Sequence, residues 1–288
     1  MYPKGLFDSD DSSGEPPPSS RWPLRIGTCS FTAAGWRGPF YPRGLKDSEF
    51  LSHYATRFDT LEIDSTFYAI PDRRVVRKWY QTTPAAFRFA LKFPSAITHE
   101  KVLEDCHGEL TEFLGAAAEL GEKLGPLLLQ FPYFGRGAMP GDEFLRRLEN
   151  FLEGVGPDFR LAVEVRNKSW IGPGLLDLLG RRGVALAHID HPWMPPPDQI
   201  AALETPNPAF TYVRLLGDRK EIETRTTSWK ELIVDRSREL RDWVRLCRAT
   251  VRRGVETHVY VNNHYAGFAP ATVSQFVELW DGKEADGT

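Results

Sequence analysis

The chain has 288 residues, of which 41% are hydrophobic and 26% charged, with a net charge of -3 and a pI near 6.2. This is ordinary globular composition. It excludes collagenous and low-complexity classes and gives no global attraction to nucleic acid or anionic membranes.

The first residues, MYPKGLFDSDDSSGEPPPSS, are acidic and Ser/Pro-rich and lack the apolar core of a secretory signal. With so little to bury, residues 1–22 are expected to form a disordered tail. Nowhere does an apolar run reach the roughly 18 residues of a membrane span. Cys29, Cys106 and Cys247 are widely spaced. An odd count without a second Cys nearby fits a reducing, cytoplasmic setting rather than a disulfide framework.

From about residue 23, short apolar runs alternate with helical patterns. The runs are LRIGTCS (24–30), TLEID (60–64), RFALKF (88–93), PLLLQF (126–131), RLAVEV (160–165), VALAHI (184–189), FTYVRL (210–215) and THVYVN (257–262). Each has strand length and is bounded by Gly, Pro or polar residues. Between them lie helical stretches such as ELTEFLGAAAELGEKLG and DEFLRRLENFLEGV, several ending at Gly. Strands alternating with helices imply a parallel sheet. Eight such units within one domain, residues 23–281, predict a single (β/α)8 TIM barrel. An open, doubly wound sheet would carry a Gly-rich phosphate loop after its first strand, and GTCSFTAAG is not one. Residues 282–288 read as a C-terminal tail.

Side chains alternate faces along a strand. One parity is almost wholly apolar, including Leu61, Ile63, Leu91, Leu129, Val163, Ala185, Ala187, Ile189, Val213 and Val259. It should face the helix ring. The other carries Glu62, Asp64, Lys92, Gln130, Glu164, Arg166, His188, Asp190, Tyr212, Arg214, Tyr260 and Asn262. It should point into the barrel, toward the strand C-terminal ends where barrel enzymes place their chemistry.

Two glutamates in one pocket, Glu62 and Glu164, suit acid and base roles. Mutual bridging with the cations is the competing structural reading. The end residues Gln130 and Arg214 on strands four and seven argue against an ordinary retaining glycosidase, whose barrels commonly carry the carboxylate pair there. Lys92, Arg166 and Arg214 suit a phosphate or carboxylate. His99, in the loop after the third strand, is the histidine best placed as a base or donor. Gln130, Asn262 and Asn263 could orient hydroxyls. Aromatics after the strands, among them Trp36, Phe40, Tyr41, Phe67, Tyr68, Tyr133, Trp170 and Trp193, suit stacking on sugars or bases as well as plain loop packing. No HxH or HExxH spacing appears, so no metal or other cofactor is expected, a divalent ion remaining the alternative.

Several segments in order resemble the YecE-like family, known as domain of unknown function 72: GTCSFTAAGWRGPFYP (27–42), LEIDSTFYAIP (61–71), FALKFPSAITH (89–99), GPLLLQFPY (125–133), LAVEVRNKSW (161–170), TYVRLLGDR (211–219) and VYVNNHYAGFAPAT (259–272). The resemblance implies a TIM barrel with shared residues at its mouth, and no established activity. Asp64 stands where the family commonly has Asn, and Ser30-Phe31-Thr32 replaces its usual Ser-Gly-Trp element.

The expected function is therefore an enzyme, a hydrolase, lyase or isomerase, acting on a small polyhydroxylated anionic ligand such as a sugar phosphate or nucleotide. The alternatives are a metal-dependent phosphodiester hydrolase on nucleic acid and a non-catalytic nucleic-acid or ligand binder. For the last, RSRELRDWVRLCRATVRR (236–253) would supply a basic face.

Overall fold

The chain is described by a computed structural model over residues 23–203 and 210–282. The expected N-terminal tail, and the C-terminal tail from residue 283, lie outside the described residues. Eight parallel strands form one sheet: β1 (Leu24–Thr28), β2 (Thr60–Ile63), β3 (Arg88–Lys92), β4 (Leu124–Gln130), β5 (Leu161–Glu164), β6 (Ala185–Asp190), β7 (Phe210–Leu215) and β8 (Glu256–Val261). Their order, β1-β8-β7-β6-β5-β4-β3-β2, is that of a TIM barrel.

The barrel closes unusually. No backbone ladder joins β1 to β2 among the described residues. The Tyr54 hydroxyl, on helix α1 (Phe50–Arg57), bridges them instead. It accepts from the Thr28 N–H at 2.9 Å and donates to the Thr60 carbonyl at 3.1 Å. Gly27 lets the strands approach, since a Cβ there would lie 2.0 Å from the Thr60 oxygen.

The outer ring is made by α1 and by α2 (Arg73–Thr82), α3 (His107–Ala117), α4 (Gly141–Gly154), α5 (Pro173–Arg182), α6 (Pro197–Ala201), α7 (Arg219–Glu223), α8 (Ser237–Arg252) and α9 (Ala269–Trp280). Local chemistry sets their ends. The Asp72 side chain accepts from the Arg74 N–H to start α2. Gly183, at φ 62°, ends α5 in the left-handed conformation. Their apolar stripes, such as Phe144, Leu148 and Phe151 of α4, pack on the outward strand residues Leu61, Leu91, Leu129, Val163, Val213 and Val259. Inside the barrel sit Cys29, Ala90, Leu128, Ala162, Ala185, Ala187, Phe210, Tyr212 and Tyr260. Small alanines leave room for the large rings opposite them.

One strand departs from expectation. On β6 the parity is reversed: Ala185 and Ala187 point inward, and Leu186 joins the outer core. Register dictates this, because Ala185 pairs with inward Ala162 and Ala187 with inward Tyr212. His188 and Asp190 therefore face the helices rather than the barrel interior. The Asp190 carboxylate accepts the Trp243 indole N–H from α8 at 2.5 Å, and burial pulls His188 down to about 4.

Candidate functional site

The mouth is organised by Arg214, at the top of β7 and 3% exposed. Its Nε and Nη2 donate to Glu62 Oε1 at 3.1 and 2.7 Å. Its Nη1 donates to Glu164 Oε2 at 2.8 Å, and Nη2 also reaches Asp64 Oδ1 at 3.1 Å. The second oxygen of Glu62 accepts from the Tyr212 hydroxyl at 2.5 Å. Arg166 Nη2 lies 2.6 Å from Glu164 Oε1. Glu62 and Glu164 are fully buried, so desolvation must be offset by this pairing. The competing structural reading, carboxylates bridged by cations, thus describes how these two are held.

Burial alone would raise the Glu164 carboxyl, but Arg166 and then Arg214 outweigh it and hold it at about 2. The balance differs at Asp64, in the turn Asp64–Phe67 after β2. Burial and then Glu62 push it up to about 7, against the opposing pull of Arg214 and Lys92. Its side chain keeps 29% of its surface exposed, whereas those of Glu62 and Glu164 keep none.

Lys92 ends β3 with its Nζ 3.9 Å above the Phe67 ring centre. Its backbone is pinned by Thr66, whose hydroxyl donates to the Lys92 carbonyl at 2.7 Å and accepts the Lys92 N–H at 3.1 Å. His99 packs edge-on against the same Phe67 ring, with ring centroids 4.8 Å apart. Its Nδ1 meets the Thr98 hydroxyl at 2.9 Å. Burial, then Lys92 and Arg166, hold His99 at about 4, so it is neutral at pH 7. The Gln130 amide donates to the Phe131 carbonyl at 2.5 Å.

Other expected residues are engaged in loop architecture. The Asn262 oxygen accepts the His264 N–H at 3.0 Å, starting the turn after β8. The Asn263 oxygen accepts from Trp36 Nε1 at 3.1 Å and the Ala269 N–H at 3.0 Å. Trp170 stacks on Phe134 and Phe144 at 5.4 and 4.5 Å. Trp36, Phe40 and Tyr41 are buried core. Tyr68, Tyr133 and Trp193 are exposed.

Cys29 escaped sequence reasoning as a member of this site. It lies 4.0 Å from Arg214 Nη2, and burial first, then Glu62, push its thiol well up. The signal was parity, since Arg25, Gly27 and Cys29 share the inward face of the first run. Donor atoms of Cys29, Glu62 and Asp64 fall within 4.8 Å of one another, as metal ligands would. Arg214 already donates to both carboxylates and supplies the positive charge there.

The basic run on α8 sits elsewhere. Arg238, Arg241, Arg245 and Arg248 line a groove of about 450 Å³ beside Leu279. Arg245 pairs with Asp242, and Arg248 donates to the carbonyls of Leu279 and Trp280 at 2.7 Å. Among the described residues, no helix is long and apolar enough to cross a membrane. The three cysteines are free and buried.

Fold and site together define an α/β barrel of the TIM class with an ion-paired cluster at its mouth. The chain belongs to the family described as Protein of unknown function DUF72, whose model matches residues 25–287. It is 34% identical to the UPF0759 protein YecE of Escherichia coli K12 over 134 residues, 46% of this chain and 47% of that protein. In that match the chain spans about half the length of its relative. The UPF0759 protein YunF of Bacillus subtilis is 25% identical over 270 residues, 86% of this chain and 93% of that protein. A DUF72 family protein from Thermotoga maritima has a similar structure, with TM-score 0.70 and 25% identity over 90% of this chain and 99% of that one. A xylose isomerase-like TIM barrel fused to a dioxygenase shares the fold, at TM-score 0.55 and 14% identity over 90% and 44% of the two chains.

Proposed function

We propose that the chain is an enzyme acting on a small polyhydroxylated ligand whose phosphate or carboxylate is held at the barrel mouth. The observation that carries this reading is Arg166. One of its nitrogens balances Glu164, while its Nε is buried with no hydrogen-bond partner among the described residues. An unsatisfied buried donor costs about 1–3 kcal/mol. An anion bound beside it would satisfy that donor. Lys92 adds a second cation with no carboxylate in contact among the described residues. Exposed Tyr68 and Tyr133 offer rings for the ligand's carbon face.

Within this reading Arg214 does not reach the ligand. It is the keystone that holds Glu62 and Glu164 in place, and those two position rather than transfer protons. Asp64 and His99 are the proton-handling groups, being half-buried and adjacent to Lys92. Thermal shift with glycerol 3-phosphate, ribose 5-phosphate and nucleoside monophosphates tests the assignment. At least one should raise the melting temperature of the wild-type chain, and Arg166→Gln should abolish the rise. A rise that survives Arg166→Gln, or none with any anion, refutes it.

A further inference from the structure

Among the described residues, pairing at the mouth uses every close charge but one. Glu62, Asp64 and Glu164 contact Arg214, and Glu164 also contacts Arg166. The Lys92 amine makes neither a hydrogen bond nor an ion pair among the described residues, although it is half-buried and set over Phe67. Its backbone is fixed from both sides by Thr66, so the amine is presented from a rigid strand end. The groups that face it are Arg214, Asp64, Glu164 and Glu62. Burial lowers its pKa, and Arg214 lowers it further, against the pull of the three carboxylates. A desolvated lysine beside a fixed cation is a setting that turns an amine into a nucleophile.

We propose that Lys92 forms an imine with a small aldehyde or ketone that bears a phosphate or carboxylate, with Asp64 moving the protons. This rests on the reading above and narrows its substrate class to carbonyl compounds. The neutral amine attacks the carbonyl carbon, a C–N bond forms, and the carbonyl oxygen takes a proton from the Asp64 carboxyl. The resulting carbinolamine returns a proton from nitrogen to Asp64. Asp64 then protonates the hydroxyl, the C–O bond breaks and water leaves. Water leaves a protonated imine beside the Asp64 carboxylate, which takes back the nitrogen proton; in sum amine plus carbonyl gives imine plus water, with no change of oxidation state. Arg166 holds the anionic group during these steps. Asp64 suits the proton work because its side chain reaches solvent while Glu62 and Glu164 are sealed.

The test is reductive trapping. The full chain is incubated with pyridoxal 5′-phosphate at pH 7, reduced with borohydride at timed intervals, and mapped by peptide mass spectrometry. Lys92 should label clearly faster than exposed Lys78 and Lys220, whose amines stand in solvent away from the mouth. Asp64→Asn should slow Lys92 labelling and leave Lys78 and Lys220 unchanged. Glycerol 3-phosphate, an anion without a carbonyl, is run in parallel by thermal shift. Labelling of Lys92 no faster than Lys78, with the shift intact, overturns the imine and leaves the anion-binding reading standing. Slow labelling with no shift by glycerol 3-phosphate, ribose 5-phosphate or a nucleoside monophosphate overturns both.

Discussion

Replacing Arg214 by methionine removes a guanidinium that contacts Glu62, Asp64 and Glu164 together. At charge separations near 4 Å and an effective dielectric near 20, each lost pair is worth about 4 kcal/mol before desolvation is counted. Removing one partner of a buried pair costs roughly 3–5 kcal/mol net. The loss has a ceiling, because a stranded carboxylate can bind a proton instead. For Glu164, with an ordinary value of 4.5, that escape costs about 1.4 kcal/mol per pH unit, or about 3.4 kcal/mol at pH 7. Arg214→Met should therefore lower the melting temperature by roughly 6–14 °C at pH 7, taking about 3–3.4 kcal/mol and about 2–4 °C per kcal/mol for a domain of this size. The deficit should shrink toward pH 5, as the stranded carboxylates take up protons more cheaply. Thermal melts of wild type and variant at pH 7 and pH 5 measure it. A deficit below about 2 °C at pH 7, or one that does not shrink on acidification, refutes the keystone role.

Four further outcomes follow from the same geometry. Asp64 sits above its ordinary value of 3.8, at about 7, so its contribution to stability is full below 3.8 and is lost as pH rises toward 7. The melting temperature of Asp64→Asn relative to wild type should thus climb between pH 4 and 7, and a flat difference would contradict the assignment. Glu164 has the opposite sign, at about 2 against 4.5. Glu164→Gln should cost most at neutral pH, and its deficit should fade as pH drops toward 2, read from urea midpoints. At the barrel seam, Tyr54→Phe removes the partner of the Thr28 N–H and the Thr60 carbonyl. At about 1–3 kcal/mol for each buried polar group left unmade, the urea midpoint should fall clearly. Gly27→Ala should do more damage, because its Cβ meets backbone rather than a movable side chain.

All eight strands were legible because each is a short apolar run between breakers, and length separates such runs from helices. Parity was legible wherever large apolar residues alternate with charges, as in TLEID and RFALKF. It failed on β6 because alanine fits either face, so the pattern in VALAHI is set by its neighbours' register. The charged residues of the mouth could be read, but not who pairs with whom. That depends on the height each side chain reaches above its strand, which the sequence does not encode locally. Asn262 and Asn263 carry the right polarity for ligand contact, yet their oxygens cap neighbouring backbone N–H groups and accept the Trp36 N–H. Asparagine serves turns as readily as ligands.

The seam between β1 and β2 also bears on motion. Every other strand boundary is zipped by a ladder, whereas this one rests, among the described residues, on the Tyr54 hydroxyl and close packing at Gly27. Amide hydrogens facing the seam should be the first in the barrel to exchange with deuterated solvent. The two strands lead directly into Cys29 and Asp64. Breathing of the barrel wall would thus be felt first at the one carboxylate of the cluster that already touches water, making access to the mouth and loosening of the scaffold a shared event.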